Sequence, residues 1–163
     1  MQELTPDQIR QSFVNASRSE VKAVTFPTDF DAVDWENLDY LGWRDAKMPQ
    51  RSYLIYPTEN GPLGLLLRAP DGGSGKQRKV LCDLCRDVRC ETEVYLYVAK
   101  RSGPAGRNGN TVGTLICANF RCSGNVRFVP PSKAPHLDAE AIRSRQIGGL
   151  KQRIELFFAR VKG

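Results

Sequence analysis

The chain has 163 residues, 26% charged and 40% hydrophobic, with a formal net charge of +6 and five cysteines. That length suits one domain, or one domain with a small annex. No N-terminal run suits a signal peptide and no stretch is long and apolar enough to span a membrane, so the expected place of work is the cytoplasm.

Charge is spread unevenly. Residues 1–50 carry nine acidic and five basic side chains, a balance of −4, and residues 51–163 carry nine acidic and nineteen basic, a balance of +10. A basic half of this kind suits an acidic partner, either RNA or an acidic protein surface; the bland alternative is a solvated surface. Thr5-Pro6-Asp7 opens a helix: a capping residue, proline in the first turn and an acid near the positive end, with Ile9, Phe13 and Val14 on its apolar side. A second short helix follows Ser19, with Val21, Val24 and Phe26 as anchors, and Pro27 ends it. The spacing of Trp35, Leu38 and Leu41 predicts a third over 31–41. Asp29, Asp31, Asp34 and Glu36 have no histidine or lysine close by, which favours caps and a solvated face over paired catalytic carboxylates.

Strands are expected over 51–56 and 63–68, joined by a turn from Pro57 to Pro62. The alternation in Ser52–Tyr56 is imperfect, which suits a strand buried on both faces. The loop that follows contains Gly72-Gly73-Ser74-Gly75-Lys76. It fails as a phosphate loop, because Pro70 replaces the first glycine and Gln77 the hydroxyl that would bind magnesium. A strand over 92–99 puts Val94, Leu96 and Val98 on one side and Tyr95 and Tyr97 on the other. A basic, glycine-rich loop over 100–110 leads to a partner strand over 111–116. The last helix is expected over 138–161, with Ile142, Leu150, Ile154, Phe157, Phe158 and Val161 as anchors and a bend or break at Gly148-Gly149.

Four cysteines give the clearest chemical signal. Cys82 and Cys85 form a C-x2-C pair, and Cys117 and Cys122 a C-x4-C pair about thirty residues later. Two close pairs on separate pieces of chain suit a tetrahedral thiolate site for one zinc ion. Buried thiols or disulfides are the alternatives, and cysteines in a chain without an export signal favour metal. His136 lies outside both pairs, so the shell is all-thiolate, closed and structural. Lys79, Arg86, Arg89 and Arg121 lie close enough in sequence to offset its negative charge. Cys90 reads as a spare thiol on the rim of the knuckle. Cys117-Ala118-Asn119-Phe120-Arg121-Cys122 is expected to begin a short helix, whose N-terminus favours thiolates. Knuckle, hairpin and ligand-bearing helix, in that order, predict an α+β fold. It consists of a small antiparallel sheet with a four-cysteine treble-clef zinc finger, short N-terminal helices and a C-terminal helix. Residues 1–50 are expected to form a short helical segment packed on the core, and 51–163 the zinc-finger domain.

The string from Gly106 to Cys122, GRNGNTVGTLICANFRC, with Cys82-Asp83-Leu84-Cys85 upstream, resembles the C-terminal treble-clef domain of the elongation factor G binding proteins, which include the FusB-type fusidic-acid resistance proteins. Leu38–Asp45 is similar to the short actinobacterial members, and the resemblance covers roughly residues 5–162. It implies a cytosolic, non-enzymatic protein that binds elongation factor G and, in resistance members, helps release it from stalled ribosomes. It places Cys82, Cys85, Cys117 and Cys122 at the four metal positions. It also implies partner contacts from basic and aromatic residues around the finger, here Lys100, Arg101, Arg107, Asn108, Phe120 and Phe128. RNA or ribosome binding by the same basic face is the alternative, with Tyr95, Tyr97 and Phe120 as stacking platforms. A closed thiolate shell, with no nucleophile–base pair in the sequence, makes an enzyme the weakest reading.

Overall fold

The computed structural model describes residues 1–69, 80–89, 92–130 and 138–163. The Thr5-Pro6-Asp7 signal acts as read, whereas the second helix starts at Arg18, before Ser19, and stops at Lys22, short of Val24, Phe26 and Pro27. Helix α1 (Pro6–Ser12) is capped by Thr5, whose hydroxyl accepts the Gln8 N–H while the Gln8 side chain accepts the Thr5 N–H. Helix α2 (Arg18–Lys22) repeats the device with Ser17 and Glu20. Each reciprocal pair satisfies backbone donors that a helix start otherwise leaves open.

Residues 31–41 depart from the expected helix. Phe30–Ala32 and Trp35–Asn37 form isolated 3-10 turns without side-chain caps, and strand β1 (Leu41–Arg44) follows. The apolar spacing allowed either period. Pairing decides it: β1 runs antiparallel to β2 (Arg51–Thr58), with Leu41 opposite Ile55 and Trp43 opposite Tyr53, and it buries both of its apolar side chains. Tertiary partners of this kind override weak local preference.

Strand β2 turns through Glu59-Asn60 into β3 (Gly61–Arg68). Pairing continues to Thr58 and Gly61, so the connection is tighter than expected. Strand β3 meets β4 (Val94–Lys100) at Leu67–Ala99 and Arg68–Val98, and β4 pairs along its length with β5 (Thr111–Cys117). The order β1-β2-β3-β4-β5 makes one antiparallel five-stranded sheet. Between β4 and β5 the glycine-rich segment forms a short helix, α3 (Gly103–Arg107).

The sheet is buried on two sides. Tyr53, Ile55 and Leu66 pack with Ile9, Val24, Leu41 and Trp43 under the N-terminal segment. Leu54, Tyr56, Leu65 and Leu67 pack with Tyr97 and with Leu150, Ile154, Phe157, Phe158 and Val161 of helix α5 (Ala139–Lys162). This explains the near-continuous apolar run of β2. On β4 the tyrosine side supplies the inward face through Tyr97, while Leu96 is exposed.

Helix α5 runs unbroken through Gly148-Gly149. Gly149 serves packing: a Cβ there would stand 2.8 Å from Arg153 Nη1. The Arg153 Nε–H donates to the Leu84 carbonyl at 2.7 Å, joining the helix to the cysteine turn. Among the described residues no helix is long and apolar enough to cross a membrane.

Candidate metal centre

Two turns bring the four thiols together. The Arg86 N–H donates to the Cys82 carbonyl and the Phe120 N–H to the Cys117 carbonyl, each at 3.0 Å. Arg86 and Phe120 both take left-handed backbone, with φ of 54° and 56°, a conformation few non-glycine residues adopt. Two hydrogen bonds of 2.8 Å fix the first turn to the sheet: Asp83 N–H to the Leu115 carbonyl, and Leu115 N–H to the Asp83 side-chain carboxylate. The helix expected from Cys117 starts only at Cys122, as α4 (Cys122–Arg127), because Cys117 is held in the sheet as the last residue of β5.

All four sulfurs are buried and lie within 4.8 Å of one another. Cys82 Sγ is 3.7 Å from Cys122 Sγ, and Cys85 Sγ is 3.6 Å from Cys117 Sγ. A disulfide needs about 2.0 Å. Tetrahedral zinc with bonds of about 2.3 Å places its sulfurs roughly 3.8 Å apart. The closest pairs therefore have zinc spacing, and the four cysteines fit one structural zinc ion in a closed shell.

Without metal the cluster cannot be fully ionised. Hydrogen bonds from the Cys117 and Cys122 thiols hold Cys82 and Cys85 below the usual thiol range. Cys117 is pushed up by its contacts with Cys122, Cys82 and Cys85. Cys122 is pulled down by Cys117, but Cys82, Cys85 and burial outweigh that and push it up. Zinc supplies the positive charge that lets four thiolates share the site, with release of protons.

Several surrounding groups were not legible as neighbours of the site. The Asn125 side-chain amide donates to Cys85 Sγ and Cys117 Sγ, both at 3.7 Å. The Cys85 N–H reaches Cys82 Sγ at 3.5 Å. The Tyr40 hydroxyl is fully buried beside Cys122 and has no hydrogen-bond partner among the described residues. Burial first, and then Cys122, push its ionisation far up, so it stays a neutral donor facing a sulfur. The backbone around it is fixed, since the Asp39 N–H donates to Ser123 Oγ at 3.0 Å. Tyr40 lies more than forty residues before any ligand, which no spacing rule reveals.

The expected charge partners divide. Arg89 is paired with Asp87 and lies over the Phe128 ring, while Arg86 is exposed beside the turn. Lys79, Cys90 and His136 lie outside the described residues. Arg153, from α5, was missed; its position four residues after Gly149 was the available signal.

The expected contact residues fall into three places. Lys100, Arg107 and Asn108 are exposed and Arg101 is half-buried, all around α3. Phe128 is 58% exposed beyond α4. Phe120 is 5% exposed, with its ring over Gly42 and 5.1 Å from that of Tyr97. Phe120 is therefore a core residue, because the left-handed turn that places Cys122 also turns its ring inward. Tyr97 is fully buried as well, which removes two of the three expected stacking platforms. The exposed residues form two patches. Ser102, beside α3, donates to Val161, and Arg143 donates to Arg127, beside Phe128. Residues 143 and 161 are about 27 Å apart along a helix.

The FBP C-terminal treble-clef zinc-finger family matches residues 8–161, with both cysteine pairs inside the match. Among curated proteins no match to the chain is found. With nearly the whole chain matched and four buried thiols at zinc spacing, the protein belongs to the FBP C-terminal treble-clef zinc-finger family, the FusB type.

Proposed function

We propose that this chain is a non-enzymatic, cytoplasmic binding protein that engages elongation factor G, with release of the factor from stalled ribosomes and protection against fusidic acid as the associated activities. The observation that carries this reading is membership of a FusB-type binding family over residues 8–161. The surface beside the zinc turn supports it. Val88 is 85% exposed, Leu81 and Phe128 are exposed, and Arg89 covers one face of Phe128 at 4.8 Å. Aromatic and arginine anchors of this kind hold protein complexes. The cations around α3 would speed encounter with an acidic partner. Zinc here maintains the fold, since a closed thiolate shell offers no position for substrate.

RNA binding is the second reading, favoured by the +10 balance of residues 51–163. The burial of Tyr97 and Phe120 counts against base stacking.

Calorimetric titration of the zinc-loaded protein into elongation factor G of its own organism, at two salt concentrations, tests the proposal. Saturable one-to-one binding is expected. No binding by folded, zinc-loaded protein would reject it, and tight RNA binding in its place would select the second reading.

A further inference from the structure

A cleft of about 420 Å³ lies between the N-terminal helices and α3, lined by Asn15, Glu20, Lys100, Arg101, Ser102 and Arg107. Its walls are fixed. The Asn15 amide donates to the Leu66 and Lys100 carbonyls and accepts the Leu66 N–H, while Ser102 Oγ donates to the Val14 carbonyl. Three cations meet here against one acid. Glu20 is held by the α2 cap, where its carboxylate accepts the Ser17 N–H and hydroxyl at 2.8 Å each. Lys100, Arg101 and Arg107 make no ion pair among the described residues. Arg101 Nε is buried with no hydrogen-bond partner among the described residues. A buried guanidinium donor without an acceptor is unfavourable by itself. It matches a carboxylate well, because Nε–H and Nη–H together present a planar two-point fork.

We propose that this cleft receives an acidic side chain of a protein partner, with its carboxylate on Arg101 and with Lys100 and Arg107 at the flanks. The proposal rests on the partner being a protein, as in the function proposed above. The cleft's shape favours a point anion over a nucleic acid. Its cations converge on one concavity, whereas a strand needs cations along a track. Glu20 stands in the wall, and the adjoining residues 1–50 carry a balance of −4, which repels a polyanion.

The test is an NMR titration of the zinc-loaded full chain with N-acetyl-Glu-Glu-amide, with an oligouridine titration in parallel. Saturable shifts of the Arg101 side-chain Nε–H and of the Ser102 and Gly106 amides are expected with the peptide, and at least a ten-fold weaker response in Arg101→Gln. A structural arginine would destabilise the fold on removal. Here Arg101 Nε has no hydrogen-bond partner and the side chain makes no ion pair among the described residues, so Arg101→Gln is expected to keep the wild-type fold by circular dichroism. Absence of peptide shifts at these amides, or an Arg101→Gln variant that binds peptide as wild type does, would overturn the proposal whatever happens with elongation factor G. Tighter binding of oligouridine at the same amides would overturn it in favour of nucleic acid. Failure to bind elongation factor G, with the peptide shifts present, would reject the function proposed above and leave the cleft assignment standing.

Discussion

At the residue scale, the centre depends on more than its four ligands. Cys117→Ser is expected to lose zinc and much of the fold, because metal binding and folding share one free energy; a zinc-free variant that melts like wild type would contradict a structural metal. Tyr40 gives a finer test. Tyr40→Phe keeps the buried ring and deletes only the hydroxyl facing Cys122. Outer-shell donors beside ligands affect metal affinity, and loss of this hydroxyl is expected to weaken zinc retention about ten-fold. Chelator competition measures it, with circular dichroism as the check on fold; unchanged retention would remove Tyr40 from the site. The adjacent Asp39 is buried and forms a bidentate pair with Arg127, with Lys151 at 3.9 Å. Asp39→Asn leaves Arg127 facing a neutral group and is expected to cost ~2 kcal/mol in denaturant unfolding, below the value for a fully buried pair because Arg127 keeps some solvent. The ligands themselves were readable because paired spacing is local. Tyr40 and Asp39 were not, since their role exists only once the segment just before β1 is laid against α4.

At the element scale, the readable features were those encoded within a few residues. The cap at Thr5, the alternation of β4 and the long apolar stripe of α5 all carry short-range signals. The segment 31–41 was misread because Trp35, Leu38 and Leu41 fit a helical period while the pairing that makes Leu41 a strand residue lies with Ile55. Gly148-Gly149 was misread because paired glycines weaken a helix but do not have to break one that is held by packing. Their roles separate by substitution. Gly148 has open space around it, so Gly148→Ala is expected to stabilise by up to about 1 kcal/mol through helix propensity. Gly149→Ala gains the same propensity but crowds Arg153, whose bond to Leu84 holds the zinc turn. A charge-assisted hydrogen bond contributes about 1.5–3 kcal/mol, so even partial loss offsets the gain. Gly149→Ala should therefore unfold at lower denaturant than Gly148→Ala by about 1 kcal/mol. Equal midpoints would mean that Arg153 reaches Leu84 without needing the glycine.

At the scale of the whole molecule, one sheet separates two apolar layers, and the zinc centre belongs to only one of them. Cys82, Cys85, Cys117 and Cys122 share a cluster with Leu54, Tyr97 and the α5 anchors, while Ile9, Trp43 and Tyr53 pack on the opposite face. Because β2 contributes to both layers, loss of the metal is felt across the sheet. Acid provides the means to remove it. In the zinc-loaded fold the four thiols carry no protons, whereas in the unfolded chain they hold theirs below their ordinary value of 9.0. The ligand pKa values are thus depressed by the metal-bound fold. The stability this contributes is fully present above the unfolded value, declines as protons compete below it, and is lost as pH falls through the folded value. The melting temperature of the zinc-loaded protein should consequently fall as pH is lowered from 8 toward 5. With excess chelator the thiol contribution over the same range should be smaller, because Cys117 and Cys122 are then pushed up and keep their protons in both states, which leaves only Cys82 and Cys85, held below the usual thiol range, to add a pH dependence. Parallel melting curves with and without chelator separate the two cases. Identical pH profiles would mean that the metal contributes nothing to folding, and the closed thiolate centre would have to be read as something other than a structural anchor.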